Sequence, residues 1–97
     1  MNYYSRSQII EILKVGNEFL VALEEEQIVV RDAPEHIAGE YSDVMFERAR
    51  VAANLVEELE INLPGVAVIV RMREQMAEQR RTIEDFLSEL RTTSRDE

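Results

Sequence analysis

The C-terminal third of the chain limits the possible folds most. Between Gly65 and the tail that begins at Thr92, the sequence contains no glycine or proline. Apolar residues recur there at alternating spacings of three and four, and only Gln79 interrupts them. This is the period of an a/d seam, so the sequence predicts one long helix that pairs with another helix.

Such a helix extends beyond a domain of this size, which favours self-association through the seam. Packing of the seam against the protein's own third helix is the alternative. A buried Gln79 would help to fix the register of the pair. The predicted dimerisation residues are Ile69, Met72, Met76, Ile83, Phe86 and Leu90.

Two short helices are predicted near the N-terminus. Ser5 and Gln8 match a capping box that begins a helix over residues 5–13. Gly16 is expected to take a positive φ in the corner that follows, with Asn17 as N-cap of the second helix. Two short helices joined by a few residues that include Gly are typical of a helix-turn-helix.

A small two-stranded wing is predicted after the second helix. Residues 28–30 are a β-branched run, residues 32–34 break it, and residues 39–41 return before a cap at Ser42. The tip of this hairpin would carry Glu35 and His36 rather than Arg or Lys.

The third helix is predicted from about Asp43 to Glu60, and Asn62-Leu63-Pro64-Gly65 ends it and begins the long helix. The fold class is therefore mainly α-helical, with a small wing and a long C-terminal helix. The predicted division is a helix-turn-helix-like domain over residues 1–62, a dimerising helix over 63–91 and a disordered tail over 92–97.

The negative charge is concentrated in the first two thirds of the chain. Residues 1–60 hold 13 acidic and 5 basic side chains, whereas residues 61–97 hold 7 and 6. The second helix, where a winged-helix regulator places its DNA-reading helix, carries no Lys or Arg. This surface repels phosphate and attracts basic partners, although an ordinary solvated face would show the same composition. The predicted partner-binding residues are Glu18, Glu24, Glu25, Glu26, Asp32 and Glu35.

The sequence predicts neither catalysis nor a bound metal or cofactor. It contains no Cys, and His36 is its single histidine, so the usual zinc ligand sets are missing. Ser5, Ser7 and Ser42 are interpreted as helix-start residues rather than nucleophiles. No segment is long and apolar enough for a membrane span or a signal peptide, and a cytoplasmic protein is expected.

The order of these parts resembles the MerR-like winged-helix family and, within it, the CbpM chaperone modulators. The resemblance rests on residues 4–13, on residues 23–29 and above all on Ile61-Asn62-Leu63-Pro64-Gly65-Val66-Ala67-Val68-Ile69. Leu63 stands where the modulators have a Trp before the Pro. The resemblance implies an adaptor that binds the J-domain of a DnaJ-like, CbpA-type co-chaperone and blocks its work with DnaK.

Two other functions fit the same order of helices. MerR-like regulators bind palindromic operators as dimers, so DNA-dependent transcriptional regulation is the main alternative. The acidic second helix argues against it, and nucleic-acid binding is not expected. A purely structural dimer module is the third possibility.

Overall fold

The computed structural model describes residues 2–95 and confirms the mainly α-helical class. Four helices and one two-stranded sheet make up this part of the chain. In chain order the elements are β1 (Tyr3–Tyr4), α1 (Arg6–Leu13), α2 (Asn17–Glu25), β2 (Tyr41–Ser42), α3 (Asp43–Leu59) and α4 (Leu63–Arg95).

Both predicted helix starts with a serine cap are confirmed. The Ser5 hydroxyl accepts a hydrogen bond from the backbone N–H of Gln8 at 3.2 Å, and the Gln8 side chain accepts one from the N–H of Ser5 at 2.8 Å. Ser42 caps α3 by accepting a hydrogen bond from the N–H of Met45. These bonds satisfy donors that the first turn of a helix leaves unpaired.

The corner between α1 and α2 differs from the prediction. Lys14, not Gly16, takes the left-handed conformation, with φ of 56°. The left-handed residue must directly follow the last helical residue to close α1, and Gly16 comes too late for that. Gly16 is instead extended and is the N-cap of α2, so the prediction that Asn17 is the N-cap is also wrong.

The two-stranded sheet does not join the strands that the wing prediction named. β2 pairs antiparallel with β1, with Tyr3 opposite Ser42 and Tyr4 opposite Tyr41. Ile28 and Val29 are buried in the core instead of forming a hairpin strand. Gly39, at φ of 108°, lies against the backbone of β1, where a Cβ would come within 3.1 Å of Tyr4 N. The first two residues of the predicted strand therefore fill the core rather than a sheet, and the third, Val30, is exposed.

Helix α4 has one end in the core and the other in solvent. Val66 and Val70 belong to the same core cluster as α1, α2 and α3. From Arg71 to Thr92 every residue is exposed. We call residues 2–70 the head and residues 71–95 the stalk. The helical backbone includes residues 92–95 of the predicted tail, and residues 96 and 97 lie outside the described residues.

The stalk makes the molecule elongated. The radius of gyration is 17.4 Å, whereas a compact chain of this length has one of about 13 Å. Arg48 on α3 fixes the direction of the stalk, since its guanidinium donates to both carboxylate oxygens of Glu74, at 2.6 and 2.8 Å. The same guanidinium donates to the carbonyl of Ile28 at 3.4 Å. One side chain therefore joins α3, the segment after α2 and the base of the stalk.

We expect Gly65→Ala to destabilise the turn between α3 and α4. The new Cβ would lie 2.9 Å from Ile61 Cγ2 and 3.2 Å from Asn62 Oδ1. Asn62 caps α4 by accepting a hydrogen bond from the N–H of Gly65 at 2.9 Å. The cost of crowding this contact should exceed the gain from the smaller entropy of the unfolded chain, so the free energy of unfolding should fall by about 1–2 kcal/mol, as measured by urea denaturation.

Gly16→Ala is the matched control for this variant. A Cβ at Gly16 would have no neighbour within 4 Å. The weaker cap and the smaller entropy of the unfolded chain roughly cancel there, so a change of less than about 0.5 kcal/mol is expected. Equal losses in the two variants would contradict the crowding argument.

Candidate partner-binding surfaces

The predicted acidic residues divide into two groups. Glu18, Glu25, Glu26 and Glu35 are exposed, and in residues 2–95 none of these four pairs with a cation. Glu18 lies in the first turn of α2, and Glu25 and Glu26 lie at its end. We call these four residues the acidic surface. Each of them is free to meet a basic group of another molecule.

Glu24 instead holds the head together. Its carboxylate accepts a hydrogen bond from the Arg6 guanidinium and, at 3.3 Å, one from the Tyr41 hydroxyl. Arg6 also donates to the Tyr41 hydroxyl at 3.0 Å, and the side chain of Tyr41 is fully buried. The bond to Glu24 is the main cause that raises the pKa of Arg6 above its usual value. This network joins α1, α2 and β2, so the Glu24 charge is already neutralised within the chain.

Asp32 also has an internal role. Its carboxylate accepts hydrogen bonds from the backbone N–H of Ser42, at 2.7 Å, and from the Ser42 hydroxyl. These bonds attach the segment after α2 to the first turn of α3. Although Asp32 is exposed, both of its oxygens already have donors. We therefore regard Asp32 as a structural residue that holds the loop containing Glu35 to the start of α3.

A cation also lies on this side of the head. The Nε of Arg31 is 3.0 Å from the Glu40 carboxylate and 3.9 Å from that of Glu24. Arg6 and Arg31 together offset part of the negative charge that the sequence places in and after α2. The glutamates of α2 and its C-cap that have no cation partner in the described residues are therefore Glu18, Glu25 and Glu26, at the two ends of the helix.

Sequence reasoning missed a groove between α3 and α4. It has a volume of about 320 Å³, with Val44, Val51 and Val70 providing its apolar side. Val44 is 47% exposed, so it is accessible to another molecule. The full lining is Asp43, Val44, Glu47, Arg48, Val51, Val70, Arg73 and Glu74. The groove depends on the register of α3 against α4, for which the sequence contains no local signal.

Charged side chains at the edge of this groove are largely paired. Glu47 accepts two hydrogen bonds from Arg50, and this contact lowers the pKa of Glu47. Glu74 is held by Arg48. The valines of the groove could hold an apolar side chain, while the buried Oδ1 of Asp43 has no hydrogen-bond partner in the described residues and leaves one negative group beside them.

The tyrosines considered as apolar anchors are largely used within the head. Tyr41 is fully buried, and Tyr4 stacks on Phe46 with ring centroids 4.5 Å apart. Tyr3 is half-buried in β1. An apolar contact with a partner would therefore use Val44 and the groove more readily than these rings.

The predicted dimerisation seam is exposed along the stalk. Met72, Met76, Ile83, Phe86 and Leu90 are between 48% and 60% exposed, and Ile69 is half-buried. These five stalk residues do not pack on α3, which was the alternative for the seam. Unpartnered large apolar residues at this density are unusual on a soluble surface.

The chain has recognisable relatives. Chaperone modulatory protein CbpM of Coxiella burnetii strain Dugway 5J108-111 is 26% identical over 82 residues, which cover 81% of this chain and 77% of the relative. The proteins of the same name from strains RSA 331 / Henzerling II and CbuG_Q212 match to the same extent. The chain is similar to CbpM. This similarity supports the CbpM part of the sequence-based resemblance and leaves the MerR-like part a prediction.

The other comparisons give no match. No protein-family model matches the chain, and no solved structure matches it significantly. Within residues 2–95, no helix is both long and apolar enough to cross a bilayer.

Proposed function

We propose that this protein is a chaperone modulator that binds the J-domain of a DnaJ-like, CbpA-type co-chaperone and inhibits its cooperation with DnaK. The observation that carries the proposal is the similarity to CbpM over 81% of the chain. The proposal involves no catalytic step and no cofactor. Because DnaK is the chaperone concerned, it implies a cytoplasmic location.

The acidic surface is the proposed contact for the J-domain. A J-domain of this class presents a basic helix to DnaK, so a modulator with free glutamates competes for the same cations. Glu18, Glu25, Glu26 and Glu35 would make these contacts, while Glu24 and Asp32 hold the surface in place. Charge mainly increases the rate of association, and the groove at Val44 would add an apolar anchor.

Self-association through the stalk is part of the same proposal. The exposed seam of Met72, Met76, Ile83, Phe86 and Leu90, with Ile69 at its base, supports a homodimer. Each copy would then offer one acidic surface.

A DNA-binding regulator of the MerR-like kind is the competing function. It shares two short N-terminal helices and a long dimerising helix with this chain. Its reading helix would be α2, which has no Lys or Arg and ends in exposed Glu25 and Glu26. Binding to DNA depends heavily on cations that release counterions from phosphate, so we propose that duplex DNA is not a ligand.

Charge reversal on the acidic surface tests the proposed contact. We expect Glu25→Lys/Glu26→Lys to weaken binding of the purified J-domain of a CbpA-type co-chaperone by roughly 10-fold or more at low salt. The reason is that two attractive charges become repulsive. Calorimetry gives the affinity, and the loss should shrink as salt screens the charges.

Glu57→Lys/Glu58→Lys is the control, since it makes the same change at exposed positions near the end of α3. Equal effects of the two double variants would exclude a specific contact at α2.

A gel-shift assay at low salt tests the competing function. Sequence-selective binding of duplex DNA by the unmodified protein would favour the regulator instead.

A further inference from the structure

We propose that the groove between α3 and α4 receives one Lys or Arg side chain from the basic helix of the bound partner. The methylene stem of that side chain lies on the valines of the groove, and its cationic end lies beside Asp43. This inference rests on the proposed J-domain contact and adds a second point of attachment to it, apart from the glutamates of the acidic surface.

The groove has an apolar wall that fits such a stem. Its lining on α3 extends from Asp43 to Val51, which is about 12 Å along the helix axis. Val51 and Val70 are buried, whereas Val44 is exposed and open to another molecule. Lys and Arg side chains commonly cover apolar surface with their methylene groups and keep the charged end at a polar site. The stem therefore supplies the apolar anchor of the contact.

Most charges of the lining already have partners within the chain. The Arg48 guanidinium donates to both carboxylate oxygens of Glu74. Glu47 accepts two hydrogen bonds from Arg50. Arg73 acts on the same glutamate, since its charge is one of the lesser causes that lower the pKa of Glu47. These groups leave little free charge of either sign along most of the groove.

Asp43 is the carboxylate of the lining that has no such partner. It lies in the first turn of α3, where the helix dipole favours a negative charge. Its Oδ1 is nevertheless shielded from solvent and has no hydrogen-bond donor in residues 2–95. No cation of these residues forms an ion pair with it. A carboxylate that has lost water without gaining a donor is poorly stabilised, so a cation from a partner has most to contribute there.

The groove adjoins the C-terminal end of α2. A smaller cavity of about 90 Å³ shares Arg48 and Glu74 with the groove and is also lined by Gln27. Gln27 directly follows Glu26 of the acidic surface. Cations that recur every three or four residues lie on one side of a helix. One basic helix can therefore place one cation at the end of α2 and the next in the groove.

Double-mutant cycles with the purified J-domain of a CbpA-type co-chaperone test this contact. Asp43→Asn removes the charge and keeps the size of the side chain, and we expect it to weaken binding by roughly 5-fold or more at low salt. Each Lys and Arg of the partner's basic helix is replaced by Met in turn. One of these replacements should lose its effect when combined with Asp43→Asn, whereas the others should keep theirs.

Asp85→Asn is the control, because it makes the same change at an exposed position of the stalk, outside the groove. It should leave the affinity for the J-domain unchanged. If Asp43→Asn binds as tightly as the unmodified protein and every partner replacement keeps its effect, the groove contact is overturned and the proposed function stands.

The cation n-pentylammonium tests the groove without a J-domain. At millimolar concentrations it should shift the methyl NMR signals of Val44, Val51 and Val70 in the unmodified protein. The neutral n-pentanol, which has the same stem, should shift them less, and Asp43→Asn should reduce the response to the cation to that of the alcohol. Equal responses to the two compounds in the unmodified protein would overturn the cation site.

The two experiments separate the inference from the proposed function. If the unmodified protein does not bind the J-domain, the proposed function fails and the partner named here fails with it. The response to n-pentylammonium then decides by itself whether the groove is a site for a long cationic side chain.

Discussion

Glu24→Ala is expected to lower the free energy of unfolding by about 2 kcal/mol and the Tm by roughly 10 °C. The substitution removes the carboxylate that accepts hydrogen bonds from Arg6 and Tyr41. The side chain of Arg6 is only 20% exposed, so its charge would lose its partner where water replaces that partner poorly. Urea unfolding measures the loss of free energy, and thermal unfolding at the same protein concentration measures the change in Tm.

Glu25→Ala is the matched control, since it removes the same side chain at the next position. Glu25 is exposed and has no cation partner in the described chain, so a change within about 0.5 kcal/mol is expected. Similar losses in the two variants would show that the network at Arg6 contributes little. The comparison also separates folding from binding, because Glu25 belongs to the proposed contact with the J-domain.

Ile83→Asp is expected to convert the proposed dimer to a monomer at micromolar concentration. Ile83 lies in the middle of the exposed seam and is 58% exposed in the single chain. In the dimer, each copy would place a carboxylate in an apolar layer beside the other, which should raise the dimer Kd by roughly 100-fold or more. Light scattering or sedimentation measures the mass.

Ser88→Asp makes a comparable change in charge on the opposite side of the stalk and should leave the mass unchanged. The near-UV circular dichroism of the tyrosines, all three of which lie in the head, should also be the same in both variants, since residue 83 lies far beyond the core. If the mass of Ile83→Asp equals that of the unmodified protein, the seam is not the dimer interface.

The features that sequence predicted well are those set by neighbouring residues. The cap at Ser5 depends on Gln8, and the cap at Ser42 depends on the next turn of α3. The end of α3 and the start of α4 follow from Asn62-Leu63-Pro64-Gly65 in the same way. Such local bonds leave a clear pattern, because the residues that form them are only three or four positions apart.

The features that sequence did not predict depend on residues far apart. Arg6 and Glu24 are 18 positions apart, and Asp32 and Ser42 are 10 apart. The pattern of charges gave no reason to separate Glu24 from Glu25, although one holds the head together and the other faces solvent. The wing prediction paired residues 39–41 with residues 28–30, and only the tertiary fold shows that the partner of the strand at Tyr41–Ser42 is Tyr3–Tyr4.

The contact of Arg48 with Glu74 and Ile28 has a mechanical consequence for the proposed dimer. The Arg48 guanidinium joins the base of the stalk to two parts of the head. In the proposed dimer, each head would therefore keep a fixed orientation relative to its stalk. The distance between two bound J-domains would then be set by the rigid arrangement of heads and stalks. If the protein dimerises as proposed, such a rigid arrangement would favour pairs of bound domains at one separation over pairs at other separations.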